Sequence, residues 1–369
     1  MRIDRRSFLI ALAGSFAAGA VPAFGRSERL YVSSVNDMRG VSHIAFFTAE
    51  GGTLFRTELP DRGHDMALNP VNADIAIFAR RPGNWLAVVD RTTGAVRTVV
   101  RSPPRRHYYG HGLYSADGRL LYATENDLDT GQGVLGVYDV ARDYARIGEQ
   151  PTHGIGPHDV AFMPGSGLLL VANGGQRTDP ETDREILNKA QMSPSLSFVD
   201  PASGEARHRI DFGRDLSGLS FRHLAVAEDG EAVFACQYEG EPEEMPLLVG
   251  TVRPDGSTRM LEMPDEDLYR LNNYLGAVAL DGSGRLICAT SPRGGMAAFW
   301  DRLSGRYLGL APLPDVCGVA PAPGTGTFVI SSGNAGVRLA RARGHELERL
   351  AGSDLDLYMW DNHIRVVAG

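Results

Sequence analysis

Five histidines open segments of one grammar in this chain: His64, His111, His158, His223 and His363 each precede a short apolar run and then a turn. Written out, these are His64-Asp-Met-Ala-Leu, His111-Gly-Leu-Tyr-Ser, His158-Asp-Val-Ala-Phe, His223-Leu-Ala-Val-Ala and His363-Ile-Arg-Val-Val. Two further segments share the pattern with the histidine replaced, Leu275-Gly-Ala-Val-Ala and Cys317-Gly-Val-Ala-Pro. The seven starts are separated by 47, 47, 65, 52, 42 and 46 residues. That period is the one expected of four-stranded propeller blades and lies outside that of tetratricopeptide or ankyrin arrays. The expected fold is all-β: a seven-bladed β-propeller of four-stranded antiparallel blades.

The unit beginning at His158 shows the strands most clearly. Strand A runs from His158 to Met163 and breaks at Pro164-Gly165. Strand B follows at Leu168–Asn173, strand C at Ser195–Val199, then the turn Asp200-Pro-Ala-Ser-Gly204 and strand D at Glu205–Ile210. The same Asp-x-x-x-Gly type of turn follows Trp85–Val89, Leu135–Tyr138 and Ala298–Trp300, where aspartate can bond its own backbone and glycine supplies a left-handed φ. The chain ends complete the circle. Segments 30–34, 43–47 and 54–57 read as strands B, C and D of a blade whose A strand is supplied by His363–Val367, a closure that protects the sheet edges. The long third unit carries Thr178-Asp-Pro-Glu-Thr-Asp, with a capping residue, an early proline and acidic residues, so a short helix is expected over 178–190.

The first 25 residues have the form of a twin-arginine export signal: Arg5-Arg6, an apolar stretch from Phe8 to Ala20, and small residues before Arg26. The expected mature propeller is therefore 26–369, a periplasmic monomer with no further membrane span. Its formal charge, −8 for the whole chain and −10 without the signal, argues against nucleic acid as a partner. Cys236 and Cys288 each fall thirteen residues into their units on β-type runs, which reads as buried thiols rather than a disulfide.

In a propeller the first residues of strand A stand at the mouth of the central channel. The five histidines, with Cys317, should converge there from different blades. Ten histidines in 369 residues would place about 0.2 at seven positions by chance. Two explanations remain: a duplicated blade that inherited a channel-lining histidine, or a metal site. Imidazole suits copper, iron, zinc or nickel, and the ring argues against oxygen-seeking calcium. Copper or iron is the expectation, ahead of zinc, with His64, His111, His158, His223, His363 and Cys317 as ligand candidates. His107 and His153, in loops feeding strand A, are candidates for an outer layer. Glu125, Asn126, Asn173, Gln237, Arg80 and Arg293, on loops of the same face, are candidates for a pocket rim. Asp65 and Asp159 should turn towards neighbouring blades.

The export signal, the blade length, and Gly110-His111-Gly112 and Gly156-Pro157-His158-Asp159-Val160 together resemble an uncharacterised family of exported propellers, domain of unknown function 1513. The resemblance implies a role in iron or copper handling, with imelysin-type periplasmic proteins as partners, and assigns no reaction. The architecture is also similar to that of nitrous oxide reductases, whose propeller histidines hold copper on the axis; Leu275 and Cys317 interrupt the ring here, so this likeness implies only that the geometry can hold metal. The alternatives are an interaction scaffold with no bound metal and a lactonase-like hydrolase, which needs carboxylates around calcium.

Overall fold

Runs of β-branched and aromatic residues between tight turns form strands wherever both faces can be buried, and here 28 such runs assemble into seven four-stranded antiparallel sheets. The computed structural model describes residues 29–367 apart from 49, 51, 183, 184, 351 and 352; the expected export signal lies outside them. Blade 1 consists of Gly63–Leu68, Asp74–Ala79, Leu86–Asp90 and Val96–Val100, in that order from the channel outwards. Strand A of blades 2 to 6 is Arg106–Tyr114, Pro157–Phe162, Leu219–Val226, Ala277–Leu280 and Val316–Pro321. Blade 7 closes the ring: the last strand, Met359–Val367, pairs with Leu30–Asn36, followed by Ser42–Thr48 and Gly52–Glu58. Each innermost strand packs against the next, and Met359–Val367 touches those of both blade 6 and blade 1.

The C–D turns follow the chemistry expected of them. Asp90 accepts the backbone N–H of Thr92 at 2.9 Å, and Gly94 sits at φ +71°. Asp200/Gly204 and Asp301/Gly305 repeat the arrangement. In blade 2, Asp143 takes the left-handed position at φ 52° that glycine takes elsewhere. Between blades the packing is large and aromatic: Trp300, Trp360, Tyr31, Phe46, Phe78, Phe198 and Phe234 are fully buried. Cys236, Cys288 and Cys317 are free and buried.

Two local expectations differ from what forms. The described residues of 178–190 hold only single turns of 3-10 helix, Pro180–Thr182 and Lys189–Gln191, and no α-helix. The segment has no apolar face to bury, Leu187 being 46% exposed, and a helix this short does not hold without packing. Instead, the Asn188 amide ties the loop together, accepting from Arg177 N at 2.7 Å and donating to Gly175 O at 2.9 Å. A short helix, α1 (Asp265–Arg270), stands instead between blades 4 and 5. Closing strand A is longer than expected, extending from His363 back to Met359.

Candidate metal centre

The five histidines converge on the axis, but from two adjacent strand A positions rather than one. In strand B the residues Ile75, Leu121, Leu169, Ala232, Ile287, Phe328 and Tyr31 are equivalent, since each lies one step in from the C–D turn. Their strand A partners are Leu68, Tyr114, Phe162, Val226, Leu280, Pro321 and Val366. Counting back four residues gives an upper row: His64, Gly110, His158, Arg222, Gly276, Cys317 and Asn362. Counting back three gives a lower row: Asp65, His111, Asp159, His223, Ala277, Gly318 and His363. The single-row alignment in the sequence is thus off by one for His111, His223 and His363, and by one in the other direction for Leu275, where the upper row holds Gly276. Both rows belong to a β-bulge that interrupts strand A in blades 1, 2, 3, 4, 6 and 7, where adjacent residues can be re-aimed; histidine takes the first of the two positions in blades 1 and 3 and the second in blades 2, 4 and 7.

The imidazoles touch one another. Ring centroids of His111 lie 5.1 Å from His64, 4.7 Å from His158, 5.6 Å from His223 and 4.8 Å from His363. His64 and His363 are 4.7 Å apart, His158 and His223 4.9 Å, and His223 and His363 4.9 Å. Gly110 permits this approach: at φ +102°, a Cβ there would stand 2.8 Å from His64 Cδ2. Three sets of side chains bring ligand atoms within 4.8 Å of one another: His64/His111/His158, His111/His223/His363, and Asp65/His111/Asp159.

Hydrogen bonds distinguish these sets. His111 Nδ1 donates to Asp65 at 2.9 Å, with the Asp159 carboxylate at 3.5 Å. His64 Nδ1 donates to Asp361 at 2.9 Å. A carboxylate can only accept, so both rings carry a proton on Nδ1 and turn Nε2 into the cluster, the arrangement that orients imidazole for a metal. His158 is the opposite case. Arg222 donates to its Nδ1 at 3.3 Å, which leaves the proton of the neutral ring on Nε2. His111 Nε2, His363 Nε2 and both nitrogens of His223 are buried with no hydrogen-bond partner among the described residues. Buried polar atoms without partners are rare and costly.

The carboxylates are anchored. Asp65 receives Arg365 as well as His111; Asp159 receives Leu224 N at 3.0 Å; and Asp361 holds Arg80 at 2.7 Å and Arg62 at 2.7 Å. Asp65 and Asp159 reach neighbouring blades, as expected, and Asp65 does so by orienting a ring histidine. Burial pulls His158, His223 and His363 well below the ordinary imidazole value and holds His64 at about 4. Burial acts the same way on His111, but Asp159 and Asp65 together outweigh it and raise it to about 9.

The remaining candidates scatter. Cys317 is in the upper row, yet its Sγ donates to Trp360 O at 3.3 Å among apolar neighbours, and it joins none of the three sets. Burial pushes its thiol up to about 12, which opposes thiolate ligation. His107 donates to Pro82 O at 3.0 Å and His153 to Gly204 O at 2.8 Å, so both tie loops together. Glu125 is buried in blade 2 on Tyr138 and Arg146; Asn126 donates to Thr178; and Asn173 donates to Thr152 O and Ser197. Gln237 and Arg80 do line the cavity of about 50 Å³ over the cluster, with His64, His158 and His223. Arg293 stacks on Tyr274, also in that wall, at 4.2 Å. The sequence reading missed Asp361, Arg222, Arg365 and Asn362. Arg222 and Asn362 directly precede ring histidines and Asp361 lies two before His363, a signal that becomes readable once the two rows are separated. On the opposite face a wider funnel of about 680 Å³ reaches Arg365.

A family model described as "Protein of unknown function (DUF1513)" matches residues 57–367. No curated protein matches the chain in sequence. Among solved structures, Kuenenia stuttgartiensis hydrazine synthase superposes with a TM-score of 0.62 at 15% identity, covering 82% of this chain and 90% of that one. At that identity the likeness concerns the fold alone.

Proposed function

The chain belongs to the DUF1513 family, and from that premise we propose that it binds one transition-metal ion, copper or iron, at the axial imidazoles and serves in metal acquisition or delivery in the periplasm. The carrying observation is the set of buried imidazole nitrogens that nothing among the described residues satisfies, at His111, His223 and His363. These three side chains form one of the metal-compatible sets. The set containing His158 is less suited, because Arg222 occupies the Nδ1 lone pair and turns an N–H inwards. The ligands we assign are therefore His111, His223 and His363, with His64 Nε2 adjacent and His158 as a hydrogen-bond donor.

Three imidazoles suit copper, iron, zinc or nickel. The Cys317 thiol supplies no sulfur, which removes the argument for a thiolate-preferring site. Calcium is disfavoured because Asp65 and Asp159 spend their oxygens on Arg365, His111 and backbone N–H groups. Binding displaces the proton that His111 holds at neutral pH, so uptake is coupled to proton release. An imelysin-type protein is the proposed partner and the twin-arginine pathway the proposed route of export.

The test is elemental analysis of the protein recovered from the periplasm. Close to one copper or iron per chain, lost in a His111→Ala/His223→Ala variant that keeps its β-sheet circular dichroism, supports the reading. Calcium, or no metal after loading with either ion, overturns it.

A further inference from the structure

Above the imidazoles lies a cavity whose chemistry the metal reading does not use. Its walls are His64, His158 and His223 together with Arg80, Arg81, Arg222, Tyr109, Tyr274, Gln237 and Asn362: three guanidiniums and no carboxylate. Arg222 is only 3% exposed. It donates to Gln176 and to His158 Nδ1, its Nε has no partner among the described residues, and its one ion pair there is a long one, 3.6 Å to Glu239, a carboxylate that also accepts from Gln176 at 2.9 Å. Arg81 donates to the Tyr109 hydroxyl at 2.8 Å and lies over that ring at 4.3 Å; among the described residues no carboxylate is within ion-pairing distance of it. Arg80 is bound to Asp361, which Arg62 also neutralises, and its Nε is buried and unpartnered.

A buried guanidinium is normally matched by an anion, and its planar fork fits the two oxygens of a planar oxyanion. The volume of about 50 Å³ corresponds to roughly three to five water molecules at ~10–15 Å³ each, which is the size of acetate or bicarbonate and too small for a larger chelator to enter whole.

We propose that this cavity binds one small planar oxyanion, a carboxylate or bicarbonate, held by Arg81 and Arg222 directly above the imidazole cluster. The anion site stands on its own residues. Its role as a companion ligand to the metal rests on the metal reading, and the two can fail separately. His158, whose Nε2–H faces inwards, is placed to donate to either.

The experiment is calorimetric titration of the metal-stripped full chain with sodium acetate and with sodium bicarbonate, for the wild type, Arg81→Gln and Arg222→Gln. The expected result is saturable uptake of at least one anion, weakened about tenfold or more in Arg81→Gln, which removes a partly exposed side chain and so tests the site even if Arg222→Gln does not fold. No uptake, or uptake unchanged in Arg81→Gln, overturns the proposal. Which anion binds more tightly separates an organic carboxylate from dissolved carbonate as the source. Repeating the titration with copper loaded tests the companion role: tighter metal retention with the anion present supports it, and unchanged retention removes it. Anion uptake by a protein that takes up no metal leaves this site standing and sinks the metal reading.

Discussion

The channel wall is built of two unlike sectors on the same strand positions. Blades 7 and 1 to 4 present His363, His64, His111, His158 and His223, with Asp65, Asp159 and Arg222 between them, and leave four imidazole nitrogens unpartnered. Blades 5 and 6 present Gly276, Ala277, Cys317 and Gly318. There the wall is tight and its polar atoms are matched: Thr290 donates to Cys317 O, Gly318 N to Ser331 Oγ at 3.1 Å, and Cys317 Sγ to Trp360 O. A Cβ at Gly318 would stand 2.6 Å from Ser331 Oγ, and one at Gly276 would stand 2.8 Å from Pro292. A propeller channel can therefore be closed without orphaned polar atoms. That the other sector holds them, on rings in contact with one another, is the contrast on which the proposed metal site rests.

The largest expected effect separates the sectors directly. His111→Ala/His223→Ala should lower copper or iron affinity more than ~100-fold in competition with a chelator of known affinity, since it removes two ligands where loss of one orienting partner alone costs ~10–100-fold. Asp65→Asn comes next. It takes away the acceptor that fixes the His111 proton and leaves Arg365 half-satisfied, so metal affinity should fall about tenfold or more and chemical denaturation should show a loss of about 1–3 kcal/mol.

Acidity sharpens the comparison further. The metal-free unfolded chain takes up protons on His64, His158, His223 and His363 near 6.5, whereas the folded chain holds them lower. The unfolded state then binds more protons below 6.5, and stability falls as pH drops from 7 towards 4. His111 runs the other way: raised to about 9, it contributes stability that is full below 6.5 and fades as pH rises through 9. Urea midpoints of the metal-free protein should accordingly be lower at pH 5 than at pH 7, and a flat profile would count against burial of four neutral rings. The smallest effect belongs to the closed sector. Cys317→Ala should leave metal affinity unchanged and cost about 1 kcal/mol in the same denaturation assay; a large drop in affinity would mean that the thiol turns inwards.

The blade count and the circular closure were legible because they rest on local chemistry. Asp90, Asp200 and Asp301 cap turns with their own carboxylates and Gly94, Gly204 and Gly305 take the left-handed φ, so strands C and D announce themselves. Convergence of the five histidines was legible for the same reason. Their two adjacent strand positions were not, because a bulge is slack in pairing and leaves no mark in the residue types around His64 or His111. Nor could the sequence show that Cys317, at an upper-row position, turns to Trp360, since that depends on a contact 43 residues away. Asp361 and Arg222 stayed hidden because their value lies in which ring they meet across a blade boundary.

The most direct test is X-ray absorption spectroscopy of the copper-loaded chain. The expected first shell is dominated by nitrogen near ~2.0 Å, with imidazole multiple scattering and no sulfur. A first shell containing sulfur, or one of oxygen alone, would contradict it.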